Sequence, residues 1–426
     1  MYRVWNFLSN YSLLLIIGAV IALIWANVDH SSYEHFVEFE IWGHNNWIGH
    51  AHYDANGILE YRTLTLHYLV NDVLMALFFA MAGKEVWEAV ALKDGSLRGK
   101  KAAAPLIATI GGMLGPVLIY LAIAAAFGST AFDALKNGWA VPTATDIAFS
   151  YLIGRIIFGA GHPAIRFLLL LAIADDAAGL IILAVFYPQA PLQLGWLIMS
   201  FGAAIAVYLV FNEMPRRKDR GLQDRPHSTA MRKRFGVLPY VIGGILGWFG
   251  FQNAGIHPAL GLLPIIPAIP HADRAFGIFA DAERHLTDLL NTIEHAIKMP
   301  VEIVLFLFGL CNAGVALTSM GHATWAVLGG LLIGKPLGIF VMGWIAAVPM
   351  RLGLPKGMDM KDLFIVGVIA SIGFTVSLFV AVAAFKNGAD HVQDAAKMGA
   401  LFSFAGAALA LIAARVLKVK AQANHD

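Results

Sequence analysis

Asp175 and Asp176 are adjacent carboxylates at the ninth and tenth places of an otherwise apolar run of twenty residues, FLLLLAIADDAAGLIILAVF, Phe167 to Phe186. As a helix rising 1.5 Å per residue the run measures roughly 30 Å, one bilayer of hydrocarbon, so both acids fall near its midplane. Each costs about 2.5–3.5 kcal/mol to insert there, which makes a functional role the default reading. On a helix, neighbouring side chains point about 100° apart, so both carboxylates can line one cavity, where mutual repulsion opposes their being charged together. Such a pair is suited to exchanging a proton for something else.

Two further segments carry polar groups at the same depth. In GWAVPTATDIAFSYLIG, Pro142 precedes Thr143, Thr145 and Asp146. Proline cannot donate to the helix ladder, threonine hydroxyls can satisfy freed carbonyls, and the spacing predicts a local break with dipole ends suited to an ion. In WAVLGGLLIGKPLGIFVMGWIAAV, Lys335 is the eleventh of twenty-four residues, too deep to reach either surface. It needs a carboxylate partner among Asp175, Asp176 and Asp146, or must lose its proton. Gly330, Gly334 and Gly338 recur every four residues, a pattern that admits another backbone at close range. The stretch VGVIASIGFTVSLF, with Gly367, Ser371, Gly373, Thr375 and Ser377, predicts a second interruption.

The elements that must position these groups follow from hydropathy. Of 426 residues 58% are hydrophobic and only 14% charged, against roughly 25% charged in soluble proteins, and the mean hydropathy is +0.68. About twelve spans are expected, near 11–28, 66–90, 102–127, 138–157, 164–187, 192–211, 236–251, 256–270, 296–317, 323–348, 363–386 and 396–417. The fold class is therefore an all-α membrane protein forming a single polytopic domain, 1–426. Spans 3 to 5 and 10 to 12, each with one interrupted helix, read as two inverted three-helix repeats crossing at mid-membrane. The core bundle would comprise 102–187 and 322–417, and the panel or interface helices 1–101 and 188–321. The amino-terminal stretch is a retained span rather than a signal peptide, since it reaches bilayer length with no A-x-A-like cleavage site.

Basic residues orient the chain. With the amino terminus inside, Lys93, Arg98, Lys100, Lys101, Arg155, Arg166, the segment NEMPRRKDRGLQDRPHSTAMRKRFG, Arg351, Lys356, Lys361, Arg415, Lys418 and Lys420 all fall inside. Outside loops hold little beyond Arg62, Lys136, Lys386 and Lys397, so both termini are expected to be cytoplasmic. The outside segment Asp29 to Thr63, aromatic and with an Asn56-Gly57 turn signal, predicts a short hairpin and a candidate contact for a second copy, hence a homodimer. Inside, His271 to Lys298 predicts an amphipathic helix with Phe276, Phe279, Leu286, Leu289, Leu290 and Ile293 as its apolar stripe. The single Cys311 excludes an internal disulfide and a thiolate zinc cluster. Neither composition nor motif supports nucleic-acid binding, and no cofactor is expected.

Accessory positions surround this set. Asp72, near the outer end of the second span, reads equally as part of a cation path or as a polar cap. Glu85 and Glu88, at its inner end, read as a cation funnel or as solvated boundary acids. His257 reads as a capping or packing histidine, while Glu302, near the inner end of the ninth span, and Glu294 just before it read equally as facing a neighbouring helix or the funnel.

The chain resembles the NhaA-type sodium/proton antiporters from Tyr11 to Lys418. The resemblance rests on NDVLMALFF at Asn71, TIGGMLGP at Thr109, GWAVPTATDIAF at Gly138, AIADDAAG at Ala172, NAGV at Asn312, GLLIGKPLGI at Gly330 and SIGFTVSLF at Ser371. It implies a secondary transporter, not an enzyme, in a bacterial cytoplasmic (inner) membrane, exchanging sodium or lithium for protons in the service of pH homeostasis. By position, Asp176 resembles the principal cation ligand and Asp175 the neighbour alternating between proton carrier and partner of Lys335. Asp146 and Thr145 resemble the pair at the helix crossing, and Lys335 the charge-balancing lysine. One departure is GKEVWEA where relatives show a GLEVKRE-like end to the second span: Glu85 remains, while the basic pair and last acid are absent. That mouth is associated with pH activation in the family, so the ion site is the better-matched part.

Hard cations suit oxygen ligands, and the expected mechanism is electrogenic exchange by competition of cation and protons for the buried carboxylates. A sodium-coupled organic-anion symporter of similar architecture is the alternative, disfavoured by Lys335. An intramembrane aspartyl protease needs one aspartate on each of two helices, typically with GxGD, which this chain lacks.

Overall fold

The structure, a computed structural model, describes residues 13–54, 59–92, 95–97, 102–159, 161–220, 226–271, 289–386 and 390–419. The Asn56-Gly57 turn, Lys93, Arg98, Lys100, Lys101, Phe276, Phe279, Leu286 and Lys420 lie outside the described residues. The described chain is mostly helical. Six helices are long and apolar enough to cross a membrane, or up to nine if each of three bent pairs is one span. Their large apolar side chains often face outward, as at Ile24 (60% exposed), Leu118 (65%) and Ile198 (78%). Water would penalise that arrangement and hydrocarbon does not, so these helices form a multi-pass membrane protein.

The chain divides into two compact units, one of 1–33, 96–182 and 309–426, the other of 34–95 and 183–308. In the first unit, the helix Ala103–Ala126 packs along Lys335–Ala347. Glycines allow this. A Cβ built at Gly338 would lie 1.9 Å from the Gly111 carbonyl oxygen, and one at Gly334 would lie 2.7 Å from that of Gly115. The small-residue stripe thus lets two backbones touch. Phe158, Phe167, Leu171, Ile339, Leu363 and Ile369 belong to one buried hydrophobic core of this unit.

Both predicted interruptions are present. Ser129–Thr143 and Ile147–Phe158 are bent by 53° about Ala144–Asp146, and Met360–Ala370 and Phe374–Ala384 by 48°. The first arm tightens into a 3-10 helix over Lys136–Thr143, which contains Pro142, before an extended Ala144. Asp146 then starts the next helix as its N-cap, its carboxylate accepting from the Phe149 N–H at 3.3 Å. The two breaks satisfy each other: the Asp146 N–H donates to the Ile372 carbonyl at 2.7 Å, and Ser377 Oγ to that of Val141 at 2.7 Å. Unwound backbone is therefore paired rather than left bare.

The second unit contains a three-stranded antiparallel sheet in spatial order Glu40–Asn45, Leu59–Thr65, His50–Tyr53, with His52 opposite Tyr61. It extends the predicted hairpin by one strand and follows a helix, His30–Val37, that was not anticipated. The sheet is seated on the end of Leu238–Ala254: buried Arg62 donates to Gly49 O at 3.1 Å and Asn253 Oδ1 at 3.2 Å, and Gln252 Nε2 to Trp47 O at 2.7 Å. The predicted eighth span is a pair of 3-10 turns, Pro258–Leu260 and Leu263–Ala268, because Pro258, Pro264 and Pro267 forbid a regular α-helix. Leu289 and Leu290, from the predicted amphipathic stripe, begin the helix Leu289–Asn312.

Candidate ion-exchange site

Asp175, Asp176, Asp146, Thr145 and Lys335 come from three different segments of the first unit and converge. Lys335 begins the helix Lys335–Ala347, directly after a π-helical turn at Gly330–Gly334 and before Pro336. Its side chain is wholly buried. Nζ lies 2.9 Å from Asp175 Oδ2 and donates to the Thr143 carbonyl, one of those released by the break. Thr145 Oγ1 lies 2.7 Å from Asp175 Oδ2 and 3.1 Å from Ala370 O, so its single proton serves one of them at a time. Asp146 accepts from Thr375 Oγ1 of the other interrupted helix.

The two adjacent aspartates differ. Asp175 is 3% exposed and held at Oδ2, while its Oδ1 is buried without a hydrogen-bond partner. Asp176 is half-buried and makes no hydrogen bond or ion pair with a described residue. It lies within electrostatic reach of Asp175, Asp146 and Lys335. Asp175 and Asp176 thus share one ammonium, with Asp146 acting on Asp176, an arrangement that is charge-balanced only when protons or a cation join it. Their titrations are coupled and belong to the group.

Other predicted positions lie in the second unit. Glu85 and Glu88 are 5% and 6% exposed, so they are not solvated boundary acids. Lys84 explains this: its ammonium lies 3.3 Å from Glu85, 2.9 Å from Glu88 and 2.7 Å from Glu294, gathering acids from two helices. Burial of acids at the helix end is tolerated because this cation travels with them. Asp72 lies in a π-helical segment, Leu69–Leu74, with its carboxylate 3.5 Å from His257 Nδ1 and its backbone carbonyl accepting from Trp248 Nε1 at 2.7 Å. His257 also caps Pro258–Leu260, accepting from the Ala259 N–H at 3.4 Å.

Sequence reasoning missed three participants. In the sequence Thr375 reads only as a helix-interrupting residue, though a hydroxyl beside a break is a recognisable candidate to meet a buried acid. The Thr143 carbonyl gives no side-chain signal. The Lys84 pairing with Glu88 is legible in GKEVWEA as an i,i+4 Lys–Glu pair, whereas its contact with Glu294 on another helix is not.

Comparisons with known proteins bear on the family of the whole chain. A family model described as Na+/H+ antiporter 1 matches residues 4–417. A Na(+)/H(+) antiporter NhaA of Jannaschia sp. (strain CCS1) is 66% identical over 422 residues, 99% of this chain and 100% of the relative. One from Desulfitobacterium hafniense is 44% identical over 421 residues, 97% of this chain and 96% of the relative. Among solved structures, the sodium proton antiporter MjNhaP1 from Methanocaldococcus jannaschii at pH 8 is similar with a TM-score of 0.51 and 14% identity, covering 95% of this chain and 97% of that one, a likeness of fold. On the extent of the family match and the identity to these relatives, the chain belongs to the Na+/H+ antiporter 1 family.

Proposed function

We propose that this chain is a sodium/proton antiporter, able to use lithium in place of sodium, that exports the cation from the cytoplasm of a bacterial cell in exchange for protons. The observation that carries the reading is the unequal aspartate pair beside Lys335: Asp175 tied at one oxygen and unmet at the other, next to a half-buried Asp176 without a hydrogen-bond or ion-pair partner among the described residues. Asp176, with the free Asp175 oxygen and Thr145, supplies oxygen ligands for a hard cation. When the cation binds, Asp175 and Asp176 must be deprotonated; when protons return, they displace it. As an ammonium Lys335 balances Asp175 in one state, and it gives up that proton in the other. More protons than cations per cycle make the exchange electrogenic, so membrane voltage drives cation efflux.

Twelve spans follow if the six long helices and three bent pairs are joined by Leu13–Val28, Pro258–Ala268 and Leu289–Asn312. Within them, 102–187 and 322–417 act as the core carrying the site and the remainder as the panel, with the two interrupted helices as counterparts in an inverted repeat. Both termini face the cytoplasm, and the extramembrane sheet is the contact for a second copy.

Reconstituted proteoliposomes test the central claim. Adding sodium or lithium should dissipate an imposed proton gradient, and Asp176→Asn should abolish this. A folded preparation that moves no protons on cation addition refutes antiport. Unchanged cation affinity in Asp176→Asn removes only the ligand role.

A further inference from the structure

Glu302 belongs to no part of the site described above. It lies in the helix Leu289–Asn312, is 7% exposed, and its Oε2 is buried without a hydrogen-bond partner. Among the described residues the charge acting on its carboxyl is Lys298, one turn earlier on the same helix and exposed. Another turn back, Glu294 pairs with Lys84, so Glu294, Lys298 and Glu302 follow one another at intervals of four along one helix flank. Eight residues separate the two acids, about 12 Å of rise at 1.5 Å per residue.

A buried carboxylate with no ion pair and an unmet oxygen destabilises a fold, and replacing it with a neutral group is expected to be harmless or stabilising. Packing therefore offers no reason for a carboxyl here, and an ionisable group at such a position is a candidate for transport chemistry. The surroundings decide which cargo it takes. A hard cation requires a shell of several oxygens, whereas Glu302 Oε2 has no hydrogen-bond partner among the described residues, and a proton needs only one oxygen. We propose, resting on the antiporter reading, that Glu302 is an additional proton-binding carboxyl of the exchange cycle, loaded from the aqueous side that bears the Lys84–Glu294 cluster. The proton arrives from bulk water, converts the carboxylate to the acid, and returns to water when exchange proceeds; Lys298 holds the counter-charge nearby when the proton has left.

The test is sodium-driven proton movement by the full chain in proteoliposomes across a pH series, for wild type, Glu302→Gln and Glu302→Asp, with thermal melting of each purified protein. The inference expects Glu302→Gln to fold with unimpaired melting yet to move the pH of half-maximal exchange by about 0.5 unit or more, a roughly threefold change in proton affinity. Apparent sodium affinity measured at saturating pH should be unchanged, and Glu302→Asp should return the profile toward wild type. An active wild type whose pH profile is unaltered by Glu302→Gln overturns this proposal while leaving antiport intact. An inactive wild type would instead overturn the antiporter reading on which it rests. Should Glu302→Gln fail to fold, infrared difference spectra between acid and alkaline buffer decide the matter. A protonated-carboxyl band that shifts in Glu302→Asp supports proton binding, and an unaltered spectrum overturns it.

Discussion

Lys335 and Asp175 form a contact in which neither side chain reaches solvent, at 2.9 Å. Removing one member of such a pair leaves the other charged and unmatched, which costs about 3–5 kcal/mol, whereas neutralising both can be nearly neutral. Lys335→Ala should therefore melt well below wild type, and Lys335→Met combined with Asp175→Asn should recover much of the loss while remaining inactive. A double-mutant cycle on melting in detergent measures this, and additive losses would refute the coupling. The sequence displayed both charges and their depth, since an ammonium in the middle of an apolar run must find a partner. It did not identify Asp175 rather than Asp176 as that partner on chemical grounds. One residue of helical rotation separates them, and only the packed position of Lys335 distinguishes the two.

At the scale of elements, close contact between Ala103–Ala126 and Lys335–Ala347 rests on glycine. Gly338→Ala would place a methyl 1.9 Å from the Gly111 carbonyl oxygen, so the helices must separate, at about 1–3 kcal/mol or more. Gly179→Ala, where nothing lies within 4 Å, serves as the control and should melt like wild type. Equal melting of both variants would refute the close-contact role. The cytoplasm-assigned helix Pro226–Phe235 depends on a cap from outside itself. Asp219 accepts from the His227 N–H at 2.9 Å and the Ser228 N–H at 2.8 Å. Burial pushes its carboxyl up, but these hydrogen bonds outweigh burial and hold it well below the usual carboxylate range. Because the folded value lies below the unfolded one, the cap's stabilisation is complete above the ordinary carboxylate pKa and is lost as pH falls through the folded value. Amide exchange at His227 and Ser228 should be faster in Asp219→Ala at neutral pH, with variant and wild type converging only in strong acid. A difference that is absent at neutral pH would refute the cap. The interruptions at Pro142 and Gly373 were legible from residues that break helices, whereas the cap was not, because six residues lie between Asp219 and the helix Pro226–Phe235.

For the molecule as a whole, the distribution of Lys and Arg predicts orientation. In a Cys311→Ser background, a cysteine in place of Lys136 should react with an impermeant thiol reagent added to intact cells. One in place of Arg217 should react only after permeabilisation. Both native side chains are solvent-exposed, at 50% and 66%, so access is not the limiting factor. The reverse pattern would invert the proposed topology.

Apolar runs, breakers and buried charges are local properties, so the sequence by itself determined that this is a helical membrane protein, which helices are interrupted, and which ionisable groups lie deep in apolar surroundings. The resemblance in its motifs added the family. Pairing is not local. Which oxygen of Asp175 meets Lys335, which hydroxyl meets Asp146, that Lys84 gathers three glutamates and that Glu302 Oε2 has no hydrogen-bond partner among the described residues each depend on side chains from distant parts of the chain reaching within about 3 Å of one another, or failing to. Only the tertiary structure decides such distances, because helix rotation and approach are set by packing along the whole length of each element rather than by the residues at the site.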